Sequence, residues 1–249
     1  MSTVAVASVT AQPSLSPAAR RARSDRWFFS GTALAQVALI VWGFSPSYFV
    51  RAASGVPPLS GLLHVHGALF SAWLVLLLTQ TTLVAAKRTP VHRRLGVAGG
   101  ILALAMLVAG YLAAIDAARR GSALPGMTPQ AFLIIPMLGV AVFGGLVAAA
   151  FAMRVRPDYH KRLIMLATAG GLLGAGVARI PAFQPFGPLG FLGVPDLFVV
   201  ALVGYDLVTL RRIHPATLAG GAVVVGAQIL QLTSANSAAW LAIASWLTT

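Results

Sequence analysis

The stretch WFFSGTALAQVALIVWGFSPSYFV, residues 27–50, contains no charged side chain and decides the fold class. A helix needs about 20 apolar residues to cross the hydrocarbon core of a bilayer. Similar runs recur along the 249 residues, in which hydrophobic residues make up 58% and charged residues only 9%. A soluble domain carries about 25% charged residues, so this chain has too few polar side chains to cover a soluble surface. The composition predicts an all-α fold, a polytopic transmembrane helix bundle.

Turn-forming segments and short basic groups separate the predicted spans. Residues 27–50 form the first span, and we predict the others at about residues 59–85, 95–117, 129–153, 163–179, 189–210 and 215–233. Residues 234–249 are apolar but short, which predicts a terminal helix that packs on the bundle or lies at the interface. The count is about seven spans, with eight as the alternative.

Residues 1–26 differ from the rest of the chain. They are rich in Ala, Ser and Pro and contain four arginines near their end. We predict a disordered basic tail that precedes a retained signal anchor, because the following apolar run is long enough to span a membrane. A mitochondrial transit peptide is the alternative.

The net charge of +13 indicates sidedness rather than nucleic-acid binding. The basic residues occur in short groups between long uncharged runs, and 14 of the 18 fall on the same side as the N-terminus in a seven-span arrangement. Cytoplasmic loops carry an excess of Lys and Arg. The pattern therefore predicts a bacterial inner-membrane protein with a cytoplasmic N-terminus. Its predicted partners are the lipid bilayer and anionic headgroups, which are expected to meet Arg93, Arg94, Lys161, Arg162, Arg211 and Arg212.

Several chemistries are excluded by residues that the sequence lacks. The chain has no Cys and no Glu, and only five Asp. A thiolate metal site and a Cys nucleophile are therefore absent, and HExxH, a phosphate-binding Gly loop with Lys, and Gly-x-Ser-x-Gly do not occur. We predict no bare-metal site and assign no catalytic residue, and whether the chain is an enzyme stays open.

Three histidines, His92, His160 and His214, are predicted near the cytoplasmic ends of spans that run in the same direction. Two facing imidazoles at one depth can hold a haem iron, with nearby arginines neutralising the propionates. The alternative is that these side chains meet lipid phosphate or water. Asp206, about one turn inside its span, is predicted to pair with Arg94 or Arg162, or to accept a hydrogen bond from a histidine.

A second polar group is predicted at the outer face. His64 and His66 are two residues apart on a helix, so their side chains diverge and only one of them faces the bundle. Arg179 and Asp196 flank a Pro-rich stretch, where an ion pair would either border a binding pocket or fix a loop. Ionisable residues within spans usually face the protein interior. The complete set of predicted membrane polar residues is Arg179, Asp196, Asp206, Asp116 and Gln80.

Small residues and one proline predict how the helices pack. Gly170, Gly171, Gly174 and Gly176 give one span a small face, which allows close backbone approach in lipid. Pro136 lies inside another span and is predicted to kink it, so that a neighbouring helix must satisfy the freed backbone groups.

Several sequence segments carry a resemblance to known proteins. The segments LHVHG at 63–67, HRRLG at 92–96 and PDYHKRL at 157–163 resemble a widespread group of uncharacterised bacterial multi-pass membrane proteins. The segment YDLVTLRRIHPAT at 205–217 is similar to that group too, and the likeness covers roughly residues 59–230. The group brings no established activity with it.

A looser resemblance is to the transmembrane diheme cytochrome b ferric reductases. It implies haem ligands at His64 or His66, His92 and His160. Those proteins place ligand histidines on four successive helices, whereas the fourth predicted span here has none. Because of this difference, we expect one b-type haem, on the cytoplasmic side, rather than two.

Three functional hypotheses follow and remain open at this point. The first is a membrane redox protein with one b-type haem that His92 and His160 ligate. The second is a non-enzymatic accessory or assembly subunit with membrane-protein partners. The third is a small-molecule permease or membrane enzyme with an outer-side pocket near Arg179 and Asp196.

Overall fold

In a computed structural model of the chain, residues 16–46 and 59–249 are described, and these form helices without a strand. Two short irregular helices interrupt the α-helices, a π segment at Ala169–Leu173 and a 3₁₀ segment at Pro181–Phe186. The α-helices are α1 Pro17–Ser45, α2 Gly61–Ala85, α3 Thr89–Arg119, α4 Pro129–Ala152, α5 Pro157–Thr168, α6 Gly174–Val177, α7 Pro188–Leu210, α8 Pro215–Ser234 and α9 Ala238–Thr248.

Six of the described helices, α1, α2, α3, α4, α7 and α8, are long and apolar enough to cross a membrane. The predicted helical membrane bundle is confirmed at that level. The fifth predicted span is helical as well, but the π segment divides it into α5 and α6, each too short to count alone. Most helices bury only a minority of their apolar span within the bundle, which leaves large side chains such as Val75 and Ile101 exposed on the outside.

The first helix extends ten residues further toward the N-terminus than predicted. It begins at Pro17, with the Ser16 side chain accepting from the backbone N–H of Ala19 at 3.3 Å. Residues 17–26 are therefore not a disordered tail, because Ala and Arg are strong helix formers and an N-cap precedes them. Residues 1–15, and the part of the predicted first loop within 47–58, lie outside the described residues.

The predicted glycine face of the fifth span is confirmed as a packing surface. A Cβ at Gly171 would lie 2.9 Å from the carbonyl oxygen of Gly139 on α4. Gly176 lies against Ile40 of α1, and a Cβ at Gly43 would overlap the carbonyl of Gly176. The α5–α6 rod thus touches two neighbours at backbone distance, as small residues permit in lipid.

Two buried side chains hold this rod where its geometry changes. The Gln36 amide of α1 donates to the carbonyl of Met165 at 3.3 Å, and Trp73 Nε1 of α2 donates to Thr168 Oγ1 at 3.2 Å. Both acceptors lie in the turn before the π segment, where the helix widens and its regular backbone hydrogen bonds are disrupted. Side chains from α1 and α2 therefore fix the position of the irregular turn.

The C-terminal end of α3 and the N-terminal end of α4 are covered by α9. Trp240 Nε1 donates to the carbonyl of Gln130 at 2.9 Å. The Arg119 guanidinium donates to the carbonyls of Leu247 and Thr248, both at 3.3 Å, and so caps the C-terminus of α9. Ala244 is fully buried against α3 and α4. The short terminal helix is thus packed on the bundle, one of the two arrangements expected for it.

Candidate functional site

Four helices begin at one end of the bundle, which we call the basic end. Contacts near their N-terminal ends show this. Lys161 of α5 pairs with Asp25, which lies in the third turn of α1, and the His160 ring lies beside the His92 ring of α3. The Tyr159 ring packs against that of His214, which immediately precedes α8. The sequence groups that were predicted to lie on one side of the membrane therefore meet at one end of the molecule.

Arg162 and Asp206 form the centre of the basic end, and both are fully buried. Arg162 Nε and Nη2 both donate to Asp206 Oδ1, the former at 2.9 Å. Arg162 Nη1 donates to the carbonyl of Asp158 at 2.9 Å. The second carboxylate oxygen, Asp206 Oδ2, accepts from Thr217 Oγ1 at 2.5 Å and from the backbone N–H of His214 at 3.0 Å. The carboxylate thus has donors from α5, α8 and the turn before α8.

The pairing of Asp206 with Arg162 was one of the two ion pairs expected for it. The prediction that Arg162 faces lipid headgroups is wrong, because burial against a carboxylate keeps its guanidinium inside the protein. Lys161 is also not a lipid-facing side chain, since its Nζ lies 3.0 Å from Asp25 Oδ2 and 2.7 Å from Asp158 Oδ1. Buried charges are normally compensated in this way.

Asp25 links α1 to two other helices. Tyr205 Oη of α7 donates to Asp25 Oδ1 at 2.5 Å, while Lys161 of α5 pairs with Asp25 Oδ2. The Tyr205 ring stacks on Phe28 with ring centroids 4.0 Å apart. Arg21 adds a partly exposed pair with Asp158 at 3.3 Å. Asp25 and Tyr205 were missed from the sequence, although a single acid among four arginines was a usable signal.

The structure brings together two of the predicted haem ligands, His92 and His160. Their ring centroids are 6.2 Å apart and their planes are nearly perpendicular, at 86°. His160 Nδ1 lies 2.9 Å from the carbonyl of Ala150, so Nδ1 carries the proton and Nε2 is the nitrogen with a free lone pair. His92 Nδ1 is buried and has no hydrogen-bond partner. The two imidazoles thus lie side by side at the basic end.

Gln80 supports the position of His92 from α2. Its Nε2 donates to the carbonyl of His92 at 3.2 Å, which joins α2 to the first turn of α3. Its Oε1 is buried without a partner. Gln80 therefore lies near the histidine pair, as part of the wall around it.

His214 has a different role from the histidine pair. Its Nδ1 accepts a hydrogen bond from the backbone N–H of Ala216 at 3.1 Å, which caps the N-terminus of α8. Burial lowers the pKa of His214 below its usual value, and the nearby positive charge of Arg162 lowers it further. Asp206 acts in the opposite direction. The ring is therefore held neutral as a cap, and its Nδ1 lone pair is already used.

The histidines near the other end do not meet the pair. His66 is half-buried and packs against Phe70 with centroids 4.0 Å apart, and its Nδ1 is buried without a partner. His64 is exposed. One of the two histidines thus faces the bundle and the other faces outward, as their spacing predicted.

The predicted ion pair between Arg179 and Asp196 is wrong for the described structure. Arg179 Nη1 donates to the carbonyl of Ala175 at 2.6 Å, and its guanidinium lies 4.4 Å from the centre of the Phe44 ring. Asp196 Oδ1 is buried and has no hydrogen-bond partner. The arginine turns back along its own helix and caps it, so it does not reach across the Pro-rich segment.

The last of the predicted membrane polar residues, Asp116, is partly exposed. Asp116 pairs with Arg120 one turn later, with Nη2 to Oδ2 at 2.9 Å. In the ranges 16–46 and 59–249, no three His or Asp side chains lie close enough together to hold a metal ion by themselves. Of the six basic residues predicted to meet lipid headgroups, Arg93, Arg94, Arg211 and Arg212 are exposed.

Fold and site together define a multi-pass helical membrane protein with a buried ionic network and a histidine pair at one end. Comparison with known proteins finds no match: no family model, no curated protein and no solved structure is similar to this chain.

Proposed function

We propose that the chain crosses a bacterial inner membrane seven times, with the basic end in the cytoplasm. The helical segment Pro157–Val177, with its π segment, lies fifth in chain order and adds one span to the six long apolar helices. The excess of Lys and Arg at the basic end supports the orientation, because cytoplasmic loops retain positive charge. Anionic headgroups are then the partners of the exposed arginines, which include Arg93 and Arg212.

The absence of cysteine makes this topology directly testable. Ser122→Cys lies in the exposed turn between α3 and α4, and Arg212→Cys lies in the exposed turn between α7 and α8. In intact cells, a membrane-impermeant maleimide should label the first and spare the second until the membrane is opened. The reverse pattern would overturn the orientation, and equal labelling of both in sealed cells would overturn the odd number of spans between these sites.

We further propose that His92 and His160 ligate one redox-active metal centre near the cytoplasmic face. With metal–nitrogen distances of about 2.0–2.1 Å, two imidazoles on opposite sides of one ion have ring centroids roughly 6.4 Å apart. The observed separation of 6.2 Å is close to that value. This separation is the observation that carries the proposal.

The surroundings of His160 support a ligand role. A metal-binding histidine usually donates its other ring nitrogen to a carbonyl or carboxylate, which fixes the ring and the tautomer. His160 makes this contact with Ala150, and Gln80 holds the backbone of His92. Imidazole suits iron and copper, and a centre of this kind exchanges single electrons with a partner.

A haem and a bare metal ion would need different amounts of space at this centre. The Phe151 ring lies 6.3 Å from the His160 ring, and a Cβ at Gly100 would lie 3.2 Å from a carbon of the Phe151 ring, so this side is filled. A bare ion would have these two imidazoles as its protein ligands, since no third His or Asp side chain joins them in the described ranges. A porphyrin would need more room than this filled side offers, and the arginines of the basic end would supply the positive charge that neutralises its propionates.

An absorption spectrum together with a metal analysis distinguishes a haem from a bare metal ion. The protein is expressed with ample haem precursor and copper, purified in detergent, and measured oxidised and reduced. A Soret band that shifts on reduction identifies haem, and stoichiometric copper or iron without that band identifies a bare ion. Protein with neither would overturn the redox proposal and leave the membrane topology untouched.

A further inference from the structure

An apolar groove of about 470 Å³ lies on the lateral surface of the bundle, between α2 and α3. Only residues 86–88 connect these two helices, so they lie side by side and run in opposite directions. One wall of the groove is formed by α2 and the other by α3, through Ala72, Val75 and Thr79 on α2 and Leu95, Ala98 and Leu102 on α3. The groove therefore begins about one turn inside the basic end and continues toward the middle of the bundle.

Small side chains keep the groove open and its surface apolar. The helices touch where a Cβ at Gly99 would lie 2.9 Å from Leu76 Cδ2. Beside this contact, Ala72 and Ala98 are exposed and too short to fill the space. The one hydroxyl of the lining, Thr79 Oγ1, donates to a carbonyl of its own helix at 2.8 Å, and the lining contains no charged side chain. The surface thus suits a hydrocarbon chain.

Positive charges without a carboxylate partner lie at one end of this groove. They belong to the α2–α3 turn and the first two turns of α3, and all four are exposed: Lys87, Arg88, Arg93 and Arg94. In residues 16–46 and 59–249, none of these four forms an ion pair, whereas Lys161 and Arg162 of the same end do. The sequence has no acid between Asp25 and Asp116. These cations are therefore left for an anion from outside the chain.

Arg94 is the cation that belongs to the groove. Successive residues of a helix are about 100° apart, so Arg94 lies on nearly the same side of α3 as Ala98, one turn later. Arg93 falls on another side, where Gly100 packs against Phe151 of α4. Helical side chains lean toward the N-terminus of their helix, so the Arg94 side chain leans toward the basic end, beyond the apolar lining. The groove thus combines an apolar wall with a positive charge at its mouth.

We propose that this groove holds one chain of an anionic phospholipid, whose phosphate pairs with Arg94. The hydrocarbon core of a bilayer contains no water that could fill the groove, and a lipid chain matches its lining. Basic residues at a membrane surface attract anionic lipid. Arg88, at the N-cap position of α3, provides no side-chain cap, so the first N–H groups of the helix favour the same anion. The proposal rests on the membrane topology proposed above and adds a specific lipid site to it.

Photocrosslinking of the full chain in nanodiscs tests this site. Both leaflets of a nanodisc are accessible, so the result does not depend on the orientation of the protein. The discs contain phosphatidylcholine and a small fraction of phosphatidylglycerol with a diazirine near the middle of one chain. This probe should label α2 and α3 around Ala72 and Ala98, saturably, and a phosphatidylcholine probe with the same chains should label them weakly. Equal labelling by both probes would overturn an anionic site.

Two adjacent arginines supply a matched pair of variants. Arg94→Gln removes the charge at the groove and should raise the half-saturating mole fraction of the anionic probe about fivefold, the effect of one basic residue near a membrane surface. Arg93→Gln changes the net charge equally and should label as wild type. Equal effects of the two variants would show a general attraction of anionic lipid to the basic end and would overturn the site.

A second pair of variants tests the groove itself. Ala98→Phe fills it and should abolish this labelling, with an unchanged thermal midpoint because the position is exposed. Ala219→Phe, at an exposed position of α8 outside the groove, should label as wild type. Unchanged labelling of Ala98→Phe would overturn the groove as the binding site of the chain. If these tests fail while maleimide labelling supports the topology, the lipid site alone is wrong.

Discussion

The Arg162 guanidinium and the Asp206 carboxylate form an ion pair with both residues withdrawn completely from solvent. Attraction in a buried pair is largely offset by the desolvation of its charges, so the pair is weak evidence for a net gain in stability. Removal of one partner is nevertheless costly, because the remaining charge is left buried and uncompensated. Three helices meet around this pair, through Asp206, Arg162 and Thr217.

Arg162→Met is therefore expected to destabilise the protein strongly. The loss of one partner from a buried pair costs about 3–5 kcal/mol. Adding Asp206→Asn should recover most of that loss, since the amide oxygen still accepts from Thr217 and His214 and no charge remains. Thermal unfolding in detergent measures both variants.

The surface pair Asp116–Arg120 provides the control. It is an i,i+4 pair with side chains 32% and 47% exposed, for which a contribution of about 0.3–0.5 kcal/mol is expected. Arg120→Met should therefore leave the midpoint nearly unchanged. Equal effects of Arg120→Met and Arg162→Met would contradict the assignment of a buried pair at the basic end.

Asp25 is expected to hold the first turns of α1 against the bundle. Asp25→Asn weakens the pair with Lys161, and Tyr205→Phe removes a hydrogen bond worth about 1 kcal/mol. Both variants should speed tryptic cleavage after the arginines at 20–26. Arg23→Ala, which alters an exposed side chain, should leave cleavage at the remaining arginines at the wild-type rate. Unchanged cleavage in the first two variants would show that Asp25 does not anchor the helix.

Gly43 is expected to be essential for the packing of α1 on α6. A Cβ at this position would overlap the backbone carbonyl of Gly176, and backbone atoms cannot move aside at low cost. Gly43→Ala should lower the thermal midpoint clearly. Gly31→Ala on the same helix meets no atom within 4 Å and should be neutral or stabilising by up to about 1 kcal/mol. A neutral Gly43→Ala would contradict the close approach of the two helices.

The His214 cap predicts a pH dependence of stability. Its folded-state pKa lies below the usual value of 6.5, so the unfolded chain takes up this proton more readily. The stabilisation is present above pH 6.5 and is lost as the pH falls through the folded pKa. A proton on Nδ1 also removes the acceptor for Ala216 and places positive charge at a helix N-terminus.

His214→Asn separates this effect from other titrations. Asparagine is a good N-cap and does not titrate, so the acid-induced fall in the thermal midpoint should be smaller than in wild type. His214→Ala should lower the midpoint at neutral pH instead, because the cap is lost. If wild type and His214→Asn lose stability in parallel below pH 6.5, His214 is not the titrating group.

Hydropathy was sufficient to predict most of the helical architecture. The bounds of α4, α7 and α8 follow the sequence within about one residue, because Pro129, Pro188 and Pro215 begin them and uncharged runs fill them. The π segment was not predictable from periodicity. It depends on contacts from distant helices, such as those of Gln36 and Trp73.

The candidate site was predictable where the same short basic segment with a histidine recurs before a helix. His92 and His160 occupy equivalent first turns of parallel helices, which is why the sequence placed them at one depth. Asp25 was missed because the arginines around it suggested a disordered tail. The Arg179–Asp196 pair was wrong because proximity in sequence was taken for proximity in space, whereas the 3₁₀ segment Pro181–Phe186 separates the two side chains.

The metal and haem content of the purified protein, measured per chain, tests the central claim most directly. Wild type should retain about one haem, or about one copper or iron ion, and the single variants His92→Ala and His160→Ala should each lose it while remaining folded. His214→Asn, at the same end of the bundle but outside the pair, should retain it. A wild-type protein without metal or haem, or equal content in all four proteins, would contradict a redox centre between His92 and His160.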